Sequence, residues 1–230
     1  MKLMARYEDN YFDLAIVDPP YGINVAKMAY TQEDNRPVKQ KNGSILRVTK
    51  LKYKHGDWDK KPPTIEYFNE LKRVSKEQII WGVNYMPFEF IGGRIIWDKC
   101  TPEGVSFSDC EIAYCSLHDR VRLFTYMWAG MFQGKSLTEP KTQQGNKSLN
   151  EKRIHPTHKP VRLYKWILSQ YAKEGFKILD THLGGGSIAI ACDDLGFDLT
   201  ACEIDAEYYN SAMKRLEIAQ SQTKLNFAEI

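Results

Sequence analysis

The chain has 230 residues, of which 43% are hydrophobic and 27% are charged, so it is long enough for one sizeable core. Its net charge of +3 is too small to identify a partner, and its five cysteines contain no Cys-x-x-Cys pair that would favour disulfides or zinc. No segment reads as a signal peptide or a membrane span. We therefore expect a single cytoplasmic domain over residues 1–230, with reduced cysteines, no metal site and no membrane contact.

The first predicted element is an apolar strand over residues 13–17, which ends in Asp18, Pro19, Pro20 and Tyr21. In an open parallel sheet, ligands bind at the carboxyl ends of strands, and two prolines make this turn stiff. The Asp18 carboxylate and the Pro19 carbonyl can accept both hydrogens of an aromatic amino group while Tyr21 stacks on its ring, which suits transfer to a poorly nucleophilic amine. Taken alone, the tetrapeptide is equally consistent with a turn that only ends a strand.

A basic stretch follows at residues 23–61, with 10 Lys or Arg against 4 Asp or Glu and little apolar periodicity. It predicts a mobile loop insertion that leaves the proposed catalytic turn directly, and loops of this length in compact domains are usually functional or disordered. The charge fits a polyanion such as nucleic acid, with Tyr30, Tyr53 and Trp58 available to stack on bases. The alternative is a solvated lysine-rich loop.

A helix and three strands are predicted next. Two prolines precede the helix, which opens at residues 64–71 with Thr64 as its N-cap. The strands occupy residues 78–82, 94–98 and 110–115, and no helix separates the last two. This order predicts a parallel sheet finished by an antiparallel edge hairpin.

The chain becomes polar and basic again over residues 120–155, which we predict to form a second surface insertion that recognises the target. Residues 135–165 carry 8 Lys or Arg against 2 Asp or Glu, so this insertion can share a nucleic-acid footprint with the first loop. A solvated charged face is the alternative.

The last third of the chain alternates helices and strands. Helices are predicted over residues 161–171, 188–195 and 206–219, the last with Tyr209, Met213 and Leu216 facing inward. Strands are predicted over residues 177–180 and 197–202, and a glycine turn over residues 181–187 joins the first strand to the second helix. Alternation of this kind predicts an α/β fold.

The glycine turn and the acid after the next strand together predict a nucleoside site. Glycines let a ligand approach the backbone, and Glu203 at the end of the following strand can accept both hydroxyls of a ribose. Gly184, Gly186 and Ala189 also satisfy the dinucleotide fingerprint, so this half alone leaves a nicotinamide-dependent dehydrogenase open.

Three motifs in this order resemble those of the amino-DNA methyltransferases that use S-adenosylmethionine. Asp18 to Tyr21 is similar to the family's catalytic tetrapeptide, the run His155-Pro156-Thr157-His158-Lys159-Pro160 to the segment before its cofactor half, and Asp180 to Ser187 to its cofactor turn. The resemblance covers nearly the whole chain, whereas a dehydrogenase accounts for one motif. It implies an α/β, Rossmann-like class I methyltransferase fold, circularly permuted so that the catalytic half comes first.

Carried over by position, the resemblance implies two groups of site residues. The target base would be held by Asp18, Pro19, Pro20 and Tyr21, and S-adenosylmethionine by Asp180, Leu183, Gly184, Gly186, Glu203 and Asp205, with Thr157 and Lys159 lining its methionine end. His158 and His182 depart from the family, which usually has Gln and often Phe there, and each is also explained as a hydrogen-bonded packing histidine. Leu225 to Phe227 is a candidate for the missing Gly-Asp element that contacts the cofactor's adenine.

The resemblance implies methyl transfer to the N6 amine of adenine in duplex DNA, by direct displacement on a flipped base. Adenine is preferred to cytosine because the family's cytosine members more often carry Ser in place of Asp18, and N4 of cytosine stays open. A catalytically silent DNA-binding subunit is the second alternative, and RNA or protein amides are less favoured by the two basic stretches. A homodimer and a place in a restriction-modification system are further expectations.

Overall fold

The computed structural model describes residues 1–25, 37–39, 43–47, 58–103, 108–130 and 132–222. Tyr30, Tyr53 and most of the predicted loop at residues 23–61 lie outside the described residues, as do Leu225 to Phe227. Trp58, the third aromatic residue predicted to stack on bases, is described.

The described residues form eleven strands and four α-helices, and a seven-stranded sheet organises them. The sheet strands are β1 (Phe12–Val17), β4 (Ser75–Trp81), β5 (Gly93–Asp98), β6 (Cys110–Cys115), β7 (Val121–Thr125), β10 (Lys177–Asp180) and β11 (Asp198–Ala201). Two small antiparallel pairs are formed by β2 (Pro37–Lys39) with β3 (Ile45–Arg47) and by β8 (Trp128–Ala129) with β9 (Phe132–Gln133). The helices are α1 (Ile65–Val74), α2 (Val161–Tyr171), α3 (Ser187–Leu195) and α4 (Ala206–Ser221), and 3-10 turns lie at Met4–Arg6, Val83–Tyr85 and Lys147–Leu149.

The strand order is β11-β10-β1-β4-β6-β5-β7. Strands β11, β10, β1 and β4 are parallel, and β6 runs antiparallel to both β4 and β5. The predicted class, a mostly parallel sheet that contains an antiparallel hairpin, is therefore confirmed. The hairpin lies one strand in from the edge, because β7 pairs in parallel with β5 outside it.

Strand β7 corrects the predicted start of the second insertion. Residues 121–125, which we assigned to a surface insertion beginning at residue 120, form the edge strand of the main sheet. Val121 and Leu123 are 69% and 63% exposed, whereas Phe124 is buried. An edge strand with one wet face lacks the continuous apolar run that identifies a buried strand, and this explains why its sequence resembles a loop.

Strand β1 lies in the middle of the sheet and is buried on both faces. Leu14 and Ile16 belong to a core cluster that contains the inward residues of α2 and α3, while Ala15 and Val17 belong to a second cluster with α1. Helices on both faces explain why β1 is an almost continuous apolar run. The polar residues that follow Val17 therefore emerge at the carboxyl edge of the central strand.

The helices of the last third begin and end close to the predicted residues, and α2 has the predicted bounds. The inward face of α4 differs in part from the prediction: Leu216 packs against the core as predicted, and Tyr208 and Ala212 are buried, whereas Tyr209 is 44% exposed. The helix begins at the predicted residue, with Asp205 as its N-cap, so the difference lies in which face packs inward. Tyr208 contacts the His155 ring with ring centres 4.5 Å apart, and Ala212 lies against Gly186. Within the described ranges, no helix combines the length and apolarity needed to span a bilayer.

Candidate active site

A cavity of about 320 Å³ opens at the carboxyl edge of the sheet, next to β1 and β10. It is lined by all four predicted catalytic residues and by six of the eight predicted cofactor residues, namely Leu183, Gly184, Glu203, Asp205, Thr157 and Lys159. The other two, Asp180 and Gly186, lie behind the lining: Asp180 is buried at the end of β10, and Gly186 precedes α3. The structure thus brings together the two motif groups that are 162 residues apart in sequence at Asp18 and Asp180.

The turn at Asp18 to Tyr21, which we predict to be the catalytic turn, is held by an internal hydrogen-bond network. The Tyr21 hydroxyl donates to Asp18 Oδ1 at 2.7 Å, and the Lys159 ammonium lies 2.6 Å from Asp18 Oδ2. Lys159 also donates to the Tyr21 hydroxyl at 3.0 Å. Lys159, predicted to line the methionine end of the cofactor site, therefore places its charge on the catalytic turn.

Glu111 is a member of this network that sequence reasoning missed. It lies on β6, and its Oε2 is 2.9 Å from the Lys159 ammonium, while its Oε1 is 3.4 Å from that of Lys99. A usable signal was present, since Glu111 is a charged residue inside the otherwise uncharged strand Cys110–Cys115. Its partner is 48 residues further along the chain, however, and only the fold shows which cation it meets.

The charges in this network favour Asp18 as the group that takes up a proton. Burial raises the pKa of Asp18 above its usual value despite the nearby Lys159. Burial also opposes the charged forms of Glu111 and Lys159, but nearby opposite charges outweigh it. Lys159 and Lys99 lower the pKa of Glu111, and Asp18 first and Glu111 second raise the pKa of Lys159. The network therefore contains a charged Lys159, an ionised Glu111 and a comparatively basic Asp18.

The ring of Tyr21 is fixed from the side of β4. It stacks on Tyr85 with ring centres 5.1 Å apart and an interplanar angle of 13°. Gly82, which follows β4 with a φ of +72°, lies against the same ring, and a Cβ there would overlap it. Glycine at this position thus permits both the backbone conformation and the place of the Tyr21 ring.

Gly82→Ala is expected to displace Tyr21 and to lower the rate of the predicted methyl transfer by about tenfold or more. A misplaced positioning group can lower a reaction rate by up to about 10²-fold. Gly175→Ala is the matched control, since Gly175 has a φ of +81° but no atom within 4 Å of an added Cβ. Both variants carry similar backbone strain, of order 1 kcal/mol. Thermal melts and single-turnover rates of the two variants separate strain from displacement; equal rates would contradict this role of Gly82.

The cofactor half is organised by backbone hydrogen bonds to two carboxyl groups. Asp180 Oδ1 accepts from the His182 N–H at 2.9 Å, and Glu203 accepts from the Gly184 N–H at 2.8 Å and the Asp205 N–H at 3.0 Å. Glu203 thus ties the end of β11 to the glycine turn. Since each carboxylate oxygen has two lone pairs, Glu203 retains capacity to accept ligand hydroxyls.

Residues 80–214, more than half of the chain, match the family model described as DNA methylase. The chain belongs to this DNA methylase family. Membership confirms the resemblance to amino-DNA methyltransferases and S-adenosylmethionine as the cofactor, and it removes the dehydrogenase alternative.

Known methyltransferases are similar to this methylase over most of its chain. It is 25% identical to the Type II methyltransferase M2.DpnII of Streptococcus pneumoniae, over 96% of this chain and 88% of that protein. It is 24% identical to the Type II methyltransferase M.HpaI of Haemophilus parainfluenzae, over 94% of this chain and 72% of that protein. Among solved structures, the PvuII DNA methyltransferase (cytosine-N4-specific) aligns with a TM-score of 0.50 and 11% identity, over 95% of this chain and 86% of that one, which supports the fold alone.

The cavity of the methylase fits S-adenosylmethionine by size and by chemistry. About 320 Å³ is within the usual range for small-molecule sites. The glycine turn exposes backbone next to Glu203, and Ile204 beside it is 94% exposed, which offers an apolar surface to a base. A nucleoside needs both a hydroxyl acceptor and an apolar contact for its ring, and these residues supply them.

Three histidines line the cavity, including the two that depart from the family pattern. His158 contacts the Ser187 hydroxyl at 2.8 Å and His182 contacts the Thr181 hydroxyl at 3.0 Å. Burial lowers the pKa of His155 and of His182 to about 4 and that of His158 well below its usual value. Neutral, hydrogen-bonded rings fit the packing role that we gave as the alternative for His158 and His182.

Asp59 is a second residue that sequence reasoning missed. It is buried, and its carboxylate accepts from the N–H groups of Gly22 at 2.8 Å and Val25 at 2.9 Å. Trp58 next to it lines the cavity with its ring centre 5.0 Å from that of His155. The carboxyl end of the basic stretch is therefore anchored beside the catalytic turn.

Asp180 gives the methylase a pH-dependent stability. Burial raises the pKa of its carboxyl from 3.8 to about 8, so the folded protein keeps a proton that the unfolded chain releases. The free energy of unfolding should therefore fall as the pH rises from about 4 to about 8. Asp180→Asn keeps an oxygen for the His182 N–H and cannot ionise, so it should be the more stable protein at high pH. Denaturant unfolding at several pH values measures the free energy of unfolding of both proteins. If this free energy changed with pH in the same way in the wild type and in Asp180→Asn, the role of Asp180 would be contradicted.

Proposed function

We propose that this DNA methylase transfers the methyl group of S-adenosylmethionine to the N6 amine of adenine in duplex DNA, by direct displacement on a flipped base. The observation that carries the proposal is the common cavity, which is lined by the Asp18 turn and by the glycine turn. A carboxylate of raised basicity thus lies in the same enclosure as a nucleoside site. This arrangement suits a reaction that joins an amine to a group carried by a nucleoside.

The catalytic turn would prepare the amine. The Asp18 carboxylate and the Pro19 carbonyl accept its two hydrogens, which leaves the nitrogen lone pair free to point at the electrophile. Tyr21 stacks on the base that carries the amine. Once the nitrogen has formed its new bond, Asp18 takes the surplus proton, and its raised pKa supports this role.

The cofactor half would hold the methyl donor. When bound, S-adenosylmethionine supplies a sulfonium-activated methyl group. Glu203 accepts the ribose hydroxyls, Leu183 and Gly184 shape the turn that approaches it, and Thr157 lines the cavity on the side of the catalytic turn. Asp180 fixes the glycine turn from behind through the His182 N–H.

A covalent enzyme intermediate is not required by this scheme. Within the described part of the chain, none of the five cysteines lines the cavity. Burial raises the pKa of Cys192 to about 12, which keeps that thiol protonated. This arrangement supports direct attack by the amine.

Duplex DNA requires contacts beyond the cavity, since a paired base hides its amine. The basic stretch at residues 23–61 and the part of the second insertion that follows β7, residues 126–155, are the proposed contacts with phosphates and base edges. The basic charge of both segments supports these contacts. Asp59 supports the first one further, because its hydrogen bonds hold the end of the basic stretch next to the catalytic turn. A homodimer stays a prediction.

Nucleoside analysis tests the choice of base. The chain is expressed in a bacterial host that lacks DNA methylation, and its DNA is digested and analysed by mass spectrometry, with the Asp18→Ala variant as control. N6-methyladenine in the wild-type sample alone is expected. If N4-methylcytosine is found instead, the mechanism stands and the substrate is cytosine. If neither methylated base is found although the protein binds DNA, the result supports a catalytically silent DNA-binding subunit.

A further inference from the structure

Glu111 is a partly buried carboxylate, with 24% of its side chain exposed, and the proposed reaction does not use it. It does not line the cavity, and it lies on β6, the strand that separates β4 from β5. Its contacts are the Lys159 ammonium at 2.9 Å, the Lys99 ammonium at 3.4 Å and the Tyr21 hydroxyl at 3.4 Å. Two of these three partners also contact each other and Asp18, so Glu111 is part of the catalytic network.

Stability alone gives a weak reason for this arrangement. Taking charges out of water costs several kcal/mol per ion, and buried ion pairs are often no more stabilising than apolar residues of similar size. Here two carboxylates share the Lys159 ammonium, at 2.6 Å from Asp18 and 2.9 Å from Glu111. With Lys99 3.4 Å from Glu111, the cluster has two carboxylates and two ammonium groups, so charge balance alone would let each lysine pair with one acid. Glu111 instead shares the Lys159 ammonium with Asp18, and this sharing points to a role in the reaction.

We propose that Glu111 is a positioning residue for methyl transfer, which holds the Lys159 ammonium so that Asp18 remains available to the incoming amine and able to accept its proton. The proposal rests on the proposed function and deepens it. Without Glu111, the ammonium would be paired with Asp18 alone. Asp18 would then be a weaker acceptor for the amine hydrogen, because its negative charge would be fully compensated by Lys159.

The chemical step balances with Asp18 as the acceptor. The amine nitrogen forms its bond to the methyl carbon as the carbon–sulfur bond breaks, with the electron pair left on sulfur. The nitrogen then carries one positive charge, and its proton passes to the Asp18 carboxylate. Glu111 and Lys159 keep their protonation states throughout.

The charge of Glu111 also sets the basicity of Asp18. Asp18 is faced by Lys159, which lowers its pKa, by the Tyr21 hydroxyl, which also lowers it, and by Glu111, which raises it. The other ionisable groups near the network are Tyr164, Asp180 and Lys99. Removing the Glu111 charge should therefore lower the pKa of Asp18, and the acid limb of the pH–rate profile should move to lower pH.

The test compares Glu111→Gln with Glu70→Gln in the full chain. Glu70 is the control because it forms an ion pair with Arg73 on α1, at 2.8 Å, away from the cavity. For Glu111→Gln we expect single-turnover transfer to fall about tenfold, within the range by which general bases act, with unchanged affinity for S-adenosylhomocysteine. The acid limb should shift downward in this variant alone. Glu111→Asp, which restores the charge, should return the limb toward its wild-type position.

A structural role would give a different result. Equal losses of rate and cofactor affinity, or an unmoved acid limb of the pH–rate profile, would overturn the proposal.

NMR of protein labelled with ¹³C at the lysine ε-carbons adds a readout that does not need turnover. The Lys159 signal should titrate at lower pH in Glu111→Gln, since Glu111 raises the pKa of Lys159. If the wild type transfers no methyl group, the proposed function fails, and this titration still decides whether Glu111 controls the charge of Lys159. If Glu111→Gln does not fold, Glu111→Ala, which also removes the charge, carries the same comparison.

Discussion

Replacing Asp18 by alanine is expected to reduce methyl transfer about 10³-fold, within the range found when a general base is removed, while cofactor affinity is retained. The carboxylate is the proposed acceptor for one amine hydrogen and for the proton released after transfer. The cofactor half does not depend on it, because Glu203 and the glycine turn are held by their own hydrogen bonds. Lys159 keeps Glu111 as a partner, so its ammonium is not left uncompensated. Single-turnover transfer and calorimetry with S-adenosylhomocysteine measure the two quantities.

The control for this variant is Asp13→Ala. Asp13 lies on the same strand at its opposite end, where it pairs with Lys76 at 2.7 Å. The Asp13→Ala variant loses a carboxylate and its ion pair, but no residue that lines the cavity is changed. It should therefore keep the wild-type transfer rate. If Asp18→Ala lost rate and cofactor affinity to the same extent, Asp18 would be a structural part of the cofactor site and its assigned role would be wrong.

Replacing Glu203 by glutamine is expected to weaken cofactor binding by about 10- to 100-fold, the equivalent of a hydrogen bond to a charged group. Glu203 accepts from the N–H groups of Gly184 and Asp205 and would also accept the ribose hydroxyls. A glutamine amide has one oxygen, and its NH₂ group would face a backbone donor. Isothermal titration calorimetry with S-adenosylhomocysteine measures the loss.

Glu207→Gln is the matched control, since Glu207 lies in the first turn of α4 and does not line the cavity. Its cofactor affinity should equal that of the wild type. At saturating cofactor, Glu203→Gln should recover most of the transfer rate, because the catalytic turn is unchanged. A large loss of rate at saturation with unchanged affinity would instead place Glu203 in the chemical step.

The sequence was sufficient to predict the elements and the site wherever the local residue pattern and the local chemistry agree. The apolar run before Asp18 predicts a central strand because both of its faces are buried, and the period of α2 predicts a helix with one inward face. The two turns could be identified as a site because both follow strands of one parallel sheet, whose carboxyl ends meet at one edge. The order of the motifs then separated a methylase from a dehydrogenase.

What the sequence could not give depends on contacts between distant residues. The charge of Lys159 was expected at the cofactor, but Asp18, which follows β1, and Glu111 on β6 both pair with its ammonium, which therefore lies at the predicted catalytic turn. Strand β7 pairs only with β5 and has a wet face, so its pattern did not distinguish it from a loop. In α4, a contact with His155, a residue 53 positions earlier in the chain, makes Tyr208 and not Tyr209 the inward residue.

Label transfer in vitro tests the central claim most directly. The purified chain is incubated with S-adenosylmethionine carrying a tritiated methyl group and with mixed-sequence duplex DNA, and the digested DNA is separated into nucleosides. We predict label in a methylated amino group, chiefly N6-methyladenine, with wild-type protein and no label above background with Asp18→Ala. DNA without label, from a wild-type protein that binds both the cofactor and the duplex, would contradict the account and identify a DNA-binding subunit that lacks catalysis.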